Sequence, residues 1–163
     1  VLERDAEGLA LGVSICGAYF GEVVRRRFES VRWFAPQALS DVLRTEELAH
    51  GEMAGDPYPE WRLEFEQVFL HFNPVGVALE VAESADAAGW KAHLGVQKRD
   101  REAVDAAVAL FGVARERDYY SFTVRFEVLE QVVEALVRER QHRKESPGSY
   151  GPVDYASAPS ILS

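Results

Sequence analysis

The apolar residues of this chain change their spacing twice, and that change limits the folds open to it. Near the start Leu2, Ala6, Leu9, Val13, Cys16, Phe20 and Val23 recur at intervals of three and four, a stripe that runs on to Arg27. Such spacing predicts a helix over 2–28. In the middle the interval falls to two. Trp61, Leu63 and Phe65 alternate with Arg62, Glu64 and Glu66, the pattern of a half-buried strand. Near the end Phe126, Leu129, Val132, Val133, Leu136 and Val137 return to the helical interval, which predicts a helix over 126–143.

Smaller signals fill in the order. Val31–Pro36 is expected to be extended, because Pro36 disfavours helix before it. Ser40 and Gly51 bracket a short helix over 41–50, and Gly55, Asp56, Pro57 and Pro59 mark a loop. Val68, Leu70 and Phe72 continue the alternation up to Asn73-Pro74. Val75, Val77, Leu79 and Val81 then alternate again, which predicts a 68–72/75–81 hairpin. A loop over 84–89 leads to a strand with Trp90, Ala92, Leu94 and Val96. Asp100 can cap a helix over 101–111, with Gly112 as its stop, and Tyr119–Val124 reads as a further strand. Together these give an α+β fold, an antiparallel sheet of about four strands with helices packed on one face. Residues 1–144 form a single domain, and 145–163, with Pro147, Pro152 and Pro159, form a polar tail. A chain of 163 residues suits one such domain.

Charge narrows the partners. With 27 Asp and Glu against 18 Lys and Arg, the formal charge is −9. Nucleic acid and anionic membrane surfaces are disfavoured, because both attract basic proteins. The longest uncharged run, Gly8 to Gly21, has 14 residues, fewer than the ~18–20 of a bilayer span. Acids precede it where a secretory signal carries Lys or Arg. A single cysteine, Cys16, cannot form an internal disulfide, so the cytosol is the expected compartment. On its apolar stripe Cys16 reads as a small core residue. Gly8, Gly12, Gly17 and Gly21 are costly in a helix, and their spacing suggests that other backbone packs against it.

No short catalytic motif is present. The four histidines, His50, His71, His93 and His142, have no zinc-site spacing, so neither a metal nor another cofactor is implied. His71 and His93 fall on expected strands, where they can converge with Glu80 into a polar cluster. The carboxylate pairs Glu46-Glu47, Glu64/Glu66 and Glu80/Glu83 read as solvated faces. Arg25, Arg26, Arg27, Arg138, Arg140, Arg143 and Lys144 read as charges that complement helix dipoles. Trp61, Trp90, Tyr119 and Tyr120 are candidate interface anchors, since large aromatics favour contact surfaces.

Leu11-Gly12 through Gly21-Glu22, then Trp33, then Phe72-Asn73-Pro74 resemble an uncharacterised bacterial domain family. Its pattern is a glycine-rich helix ending in Gly-Glu, a Trp shortly after and a hairpin with a Phe/Pro pair. The resemblance covers the first half of the chain. Leu79–Ala82 departs from it, with Glu80 where a Lys/Arg-rich stretch is expected. It implies no particular activity. The order of elements is also similar to small acidic secretion-chaperone-like domains. The leading expectation is a non-enzymatic cytosolic interaction module of immunity-protein or secretion-chaperone type that binds a protein partner, with a homodimer compatible. The alternative is a small enzyme or ligand-binding domain using His71, Glu80 and His93.

Overall fold

The computed structural model describes residues 2–34, 61–83, 93–110, 121–146, 148 and 150. Helix α1 (Leu2–Arg27) leads into strand β1 (Val31–Phe34). Strands β2 (Arg62–Phe65) and β3 (Leu70–Phe72) follow, then helix α2 (Pro74–Glu83) and strand β4 (Leu94–Val96). A 3-10 turn (Lys98–Asp100) enters helix α3 (Arg101–Leu110), and helix α4 (Phe122–His142) comes last. The fold is α+β, and the sheet is antiparallel in the order β1-β2-β3-β4.

The register sorts the side chains by face. Val31, Phe65, Leu70 and Val96 lie in one row across the four strands, and Trp33, Leu63, Phe72 and Leu94 lie two residues along. Both rows are apolar and share a face, because side chains alternate along a strand. They form the core with Phe20 and Val24 of α1 and Val128, Leu129, Val132 and Leu136 of α4. Aromatic edges join the layers: Phe20 meets Phe72 at 5.9 Å, and Phe28 meets Phe65 at 5.4 Å. The row between them, Arg32, Glu64, His71 and Gly95, points to the opposite face.

The segment expected as the second arm of a hairpin is a helix. Asn73 accepts hydrogen bonds at Oδ1 from the Val75 and Gly76 N–H groups (3.1 and 2.9 Å), and Pro74 takes the first helical position. Asn-Pro is therefore an N-cap with a following N1 proline rather than a strand-to-strand turn. The true partner of β3 on this side is β2, through a turn over 66–69. Phe69 adopts a left-handed backbone there (φ 37°), and its ring meets Tyr150 at 5.1 Å. The Tyr150 N–H also donates to the Glu66 carbonyl (2.9 Å), so this part of the tail docks on the domain. Likewise 122–124, expected as strand, open α4. The short helix expected over 41–50 lies outside the described residues.

Helix α1 is seated through glycines. Gly17 and Gly21 are buried, and Val13, Phe20 and Val24 face the domain beside them. A Cβ at Gly17 would stand 2.6 Å from the Val75 Cα, and one at Gly21 would overlap the Trp33 indole. At Gly12, by contrast, a Cβ would meet nothing within 4 Å. We predict opposite signs for two equal substitutions, read by urea unfolding in dilute solution. Gly12→Ala gains about 0.5–1 kcal/mol from helix propensity and reduced unfolded-state entropy. Gly17→Ala loses about 1–3 kcal/mol, because overpacking against a helix backbone outweighs that gain. Equal stabilisation by both would contradict this packing.

Candidate functional site

The polar row of the sheet is built around a carboxylate without contact to water. Glu64 is fully buried, and four N–H groups reach it. Arg32 gives Nε and Nη2 to Oε2 (3.1 and 2.9 Å), while Arg62 gives Nε and Nη2 to Oε1 (3.2 and 3.0 Å). Arg32 also reaches Glu66 at 2.8 Å, and the Arg62 guanidinium lies 4.5 Å from the Phe34 ring centre. The expectation that Glu64 belongs to a solvated face is therefore overturned. A strand carboxylate flanked by two arginines can be buried because its charge is matched on both oxygens. Beside it on β3, His71 lies over Gly95, whose missing side chain makes room for the ring. Burial, aided by the nearby Arg62 charge, pulls the His71 pKa down to about 4.

Of the polar cluster considered from sequence, the structure brings Glu80 and His93 together, with Glu80 on helix α2 and His93 just before β4 rather than on the sheet face. His93 Nε2 lies 2.9 Å from Glu80 Oε1, with its ring against Gly76 one turn earlier on α2. The sequence reading missed the third member, Arg125 of α4, whose Nη2 reaches Glu80 Oε2 at 2.8 Å. Burial lowers the His93 pKa, the Glu80 charge pulls it back up, and Arg125 adds to the lowering. The adjoining cavity, lined by Phe72, Val77, Leu94, Arg125, Val128 and Leu129, has about 10 Å³, the room of one water. His71 is tied instead to the Glu64 row by strand register. No group of three or more His, Cys, Asp or Glu among the described residues has the arrangement to hold a metal ion.

A third charged cluster holds the end of α4. Asp100 is fully buried and meets Arg140 (3.1 and 2.8 Å) and Arg143 (2.7 Å). Burial alone would raise its pKa, but those hydrogen bonds win and hold it below the ordinary value. Arg140 and Arg143 are thus internal ion-pair partners, beyond any role with the helix dipole. At the end of α1, Arg25 and Arg26 bind Glu22 and hold its carboxyl down at about 2, while Arg27 reaches Glu130 of α4 at 2.9 Å.

The expected aromatic anchors are only partly in view. Trp61 is half-buried and stacks edge-on against Trp33 at 6.4 Å, while Trp90, Tyr119 and Tyr120 lie outside the described residues. Among the described residues, the large exposed apolar side chains come from α1: Leu9 (46% exposed), Leu11 (63%), Ile15 (60%), Tyr19 (74%) and Val23 (39%). Cys16, expected in the core, is exposed on the same helix. The reason is rotational. Residues 8–21 are uncharged on every side, so periodicity alone does not say which stripe turns inward, and Gly17 and Gly21 decide it. The sequence signal for this face was the same run, since a helix apolar all round is normally covered on all sides. Gly8–Arg27, which contains an 18-residue window of mean hydropathy 1.2, is also long and apolar enough to cross a bilayer by length and composition, a test that core helices and signal sequences also pass. A comparison with protein-family models finds no match, and neither do comparisons with curated proteins and with solved structures.

The buried histidine sets a pH dependence. His71 protonates near 6.5 when unfolded and near 4 when folded, so the unfolded state takes up the proton first as pH falls. Stability from this group is complete above pH 6.5 and is lost between about 6.5 and 4, on the order of 3 kcal/mol. The expected result is a fall in urea midpoint across this window that is shallower in His71→Gln. Parallel curves for the two proteins would contradict the burial of a neutral imidazole.

Proposed function

We propose that this protein is a non-enzymatic interaction module and that the outer face of α1 is where it contacts a protein. One observation carries the reading: Leu9, Leu11, Ile15, Tyr19 and Val23 together expose on the order of 500 Å² of mainly apolar surface on one helix, at the upper end of what a monomer's largest patch holds. Three charged clusters join the elements of the domain that carries this face. Their carboxylates are occupied by arginines on both oxygens or by an arginine and a histidine, an arrangement that suits structure better than proton transfer to a substrate. The chain's net charge of −9 does not lie on this face, because Gly8 to Gly21 holds no charged residue. Trp61, just before β2 and against Trp33, is a secondary candidate outside the α1 face.

A photo-cross-linking amino acid at position 15 tests the reading. In an extract of the source cells the chain is expected to form an adduct of defined protein mass. Excess unmodified chain competes for it, and the Ile15→Lys/Tyr19→Lys double variant does not. Absence of any competed protein adduct would overturn the assignment of α1 as the contact face.

A further inference from the structure

We propose that the outer face of α1 binds a second copy of this chain, with the two α1 helices antiparallel about Ile15. The inference rests on the reading of α1 as a protein-contact face and names its occupant. Three features of the helix converge on self-pairing.

The first is symmetry of the side chains. Among the described residues, Leu11, Ile15 and Tyr19 are the most exposed large apolar ones, and they are spaced by four. They form one ridge, because residues four apart share a helix face. A two-fold axis at Ile15 sets Leu11 of one copy opposite Tyr19 of the other and Ile15 opposite Ile15. That is the self-complementary contact a symmetric dimer requires. Gly8 and Gly12 have open space where a Cβ would stand, leaving a low row beside the ridge to receive the ridge of the second copy.

The second is charge. Leu2–Glu7 carries Glu3, Asp5 and Glu7 against Arg4, a net −2, while Glu22–Arg27 carries Arg25, Arg26 and Arg27 against Glu22, a net +2 that the Arg27–Glu130 pair reduces to +1. Parallel helices would place like ends together. Antiparallel helices place each acidic end beside a basic one and oppose the two helix dipoles.

The third is area. Two such faces together offer at most about 1,000 Å² of surface to bury from five side chains each, which reaches the lower limit of a biological interface.

A lipid surface fits less well. Gly17 is pressed on the Val75 backbone and Gly21 on Trp33, so the inner face of α1 belongs to a domain with buried charges and cannot be given to lipid. A helix lying in a membrane interface carries basic residues along its flank, and the run 8–21 has none.

The test is the mass in solution, read by light scattering or sedimentation with the full chain. The expected mass at micromolar concentration is twice 18.2 kDa. Ile15→Lys/Tyr19→Lys, with unchanged circular dichroism, is expected to raise the dimer dissociation constant at least about 100-fold. Spin labels read the orientation. Labels on Cys16 fall close together, while labels on Gly8→Cys in a Cys16→Ser background are separated by about 21 Å along the axis, from 1.5 Å of rise per residue. A monomer at all concentrations, a dimer indifferent to the double variant, or equal short distances at both label sites would overturn the proposal. So would binding to anionic or neutral vesicles in place of dimerisation. A monomer that still forms a competed adduct with a different protein overturns this proposal alone and leaves α1 as a contact face.

Discussion

The close approach of α1 to α2 is the constraint on which the rest of the molecule depends. Helix α1 is apolar on every side between Gly8 and Gly21, so composition leaves its rotation open. Gly17 and Gly21 fix it, because only the missing side chains let Val75, Pro74 and Trp33 come so near. Once that stripe faces inward, Phe20 and Val24 reach the sheet rows of Leu63, Leu70 and Phe72, and Phe28 reaches α4 through Phe126. The same rotation turns Leu11, Ile15 and Tyr19 outward. The core and the proposed contact face are thus two consequences of one packing decision.

Around this core stand three ion-paired carboxylates, Glu64 and Asp100 fully buried and Glu80 partly so. Glu64, Glu80 and Asp100 lie at three different junctions, between β1 and β2, between α2 and α4, and between the 3-10 turn and the end of α4. Each is reached by arginine. Such pairs add modest net stability, since desolvation offsets much of the attraction, but removal of one partner is costly. They therefore fix geometry more than they add free energy. Gly95 and Gly76 serve them by making room for the imidazoles of His71 and His93.

The sequence carried much of the fold and little of the site. The long helices were legible because their apolar stripes keep a period of three and four over many residues, and β2 because Trp61, Leu63 and Phe65 alternate with charges. Val75–Val81 misled because Gly76 and Ala78 between the valines are also compatible with a helix, and because Asn73-Pro74 marks turns and helix starts alike. The sequence offers Glu80 and His93 as residues that can meet, but not Arg125, since it is separated from Glu80 by 45 residues and no local pattern links them. Cys16 and Glu64 were misplaced for one reason: burial at those positions is decided by partners distant in the chain, Val75 and Trp33 for α1 and Arg32 for Glu64.

Hydroxyl-radical footprinting across a dilution series addresses the central claim most directly, because it reads individual side chains. The account predicts that Leu11, Ile15 and Tyr19 oxidise readily in the most dilute samples and become protected as concentration rises. Val24 and Leu63 stay protected throughout. Protection of Leu11, Ile15 and Tyr19 at every dilution, or full oxidation at every concentration, would contradict it.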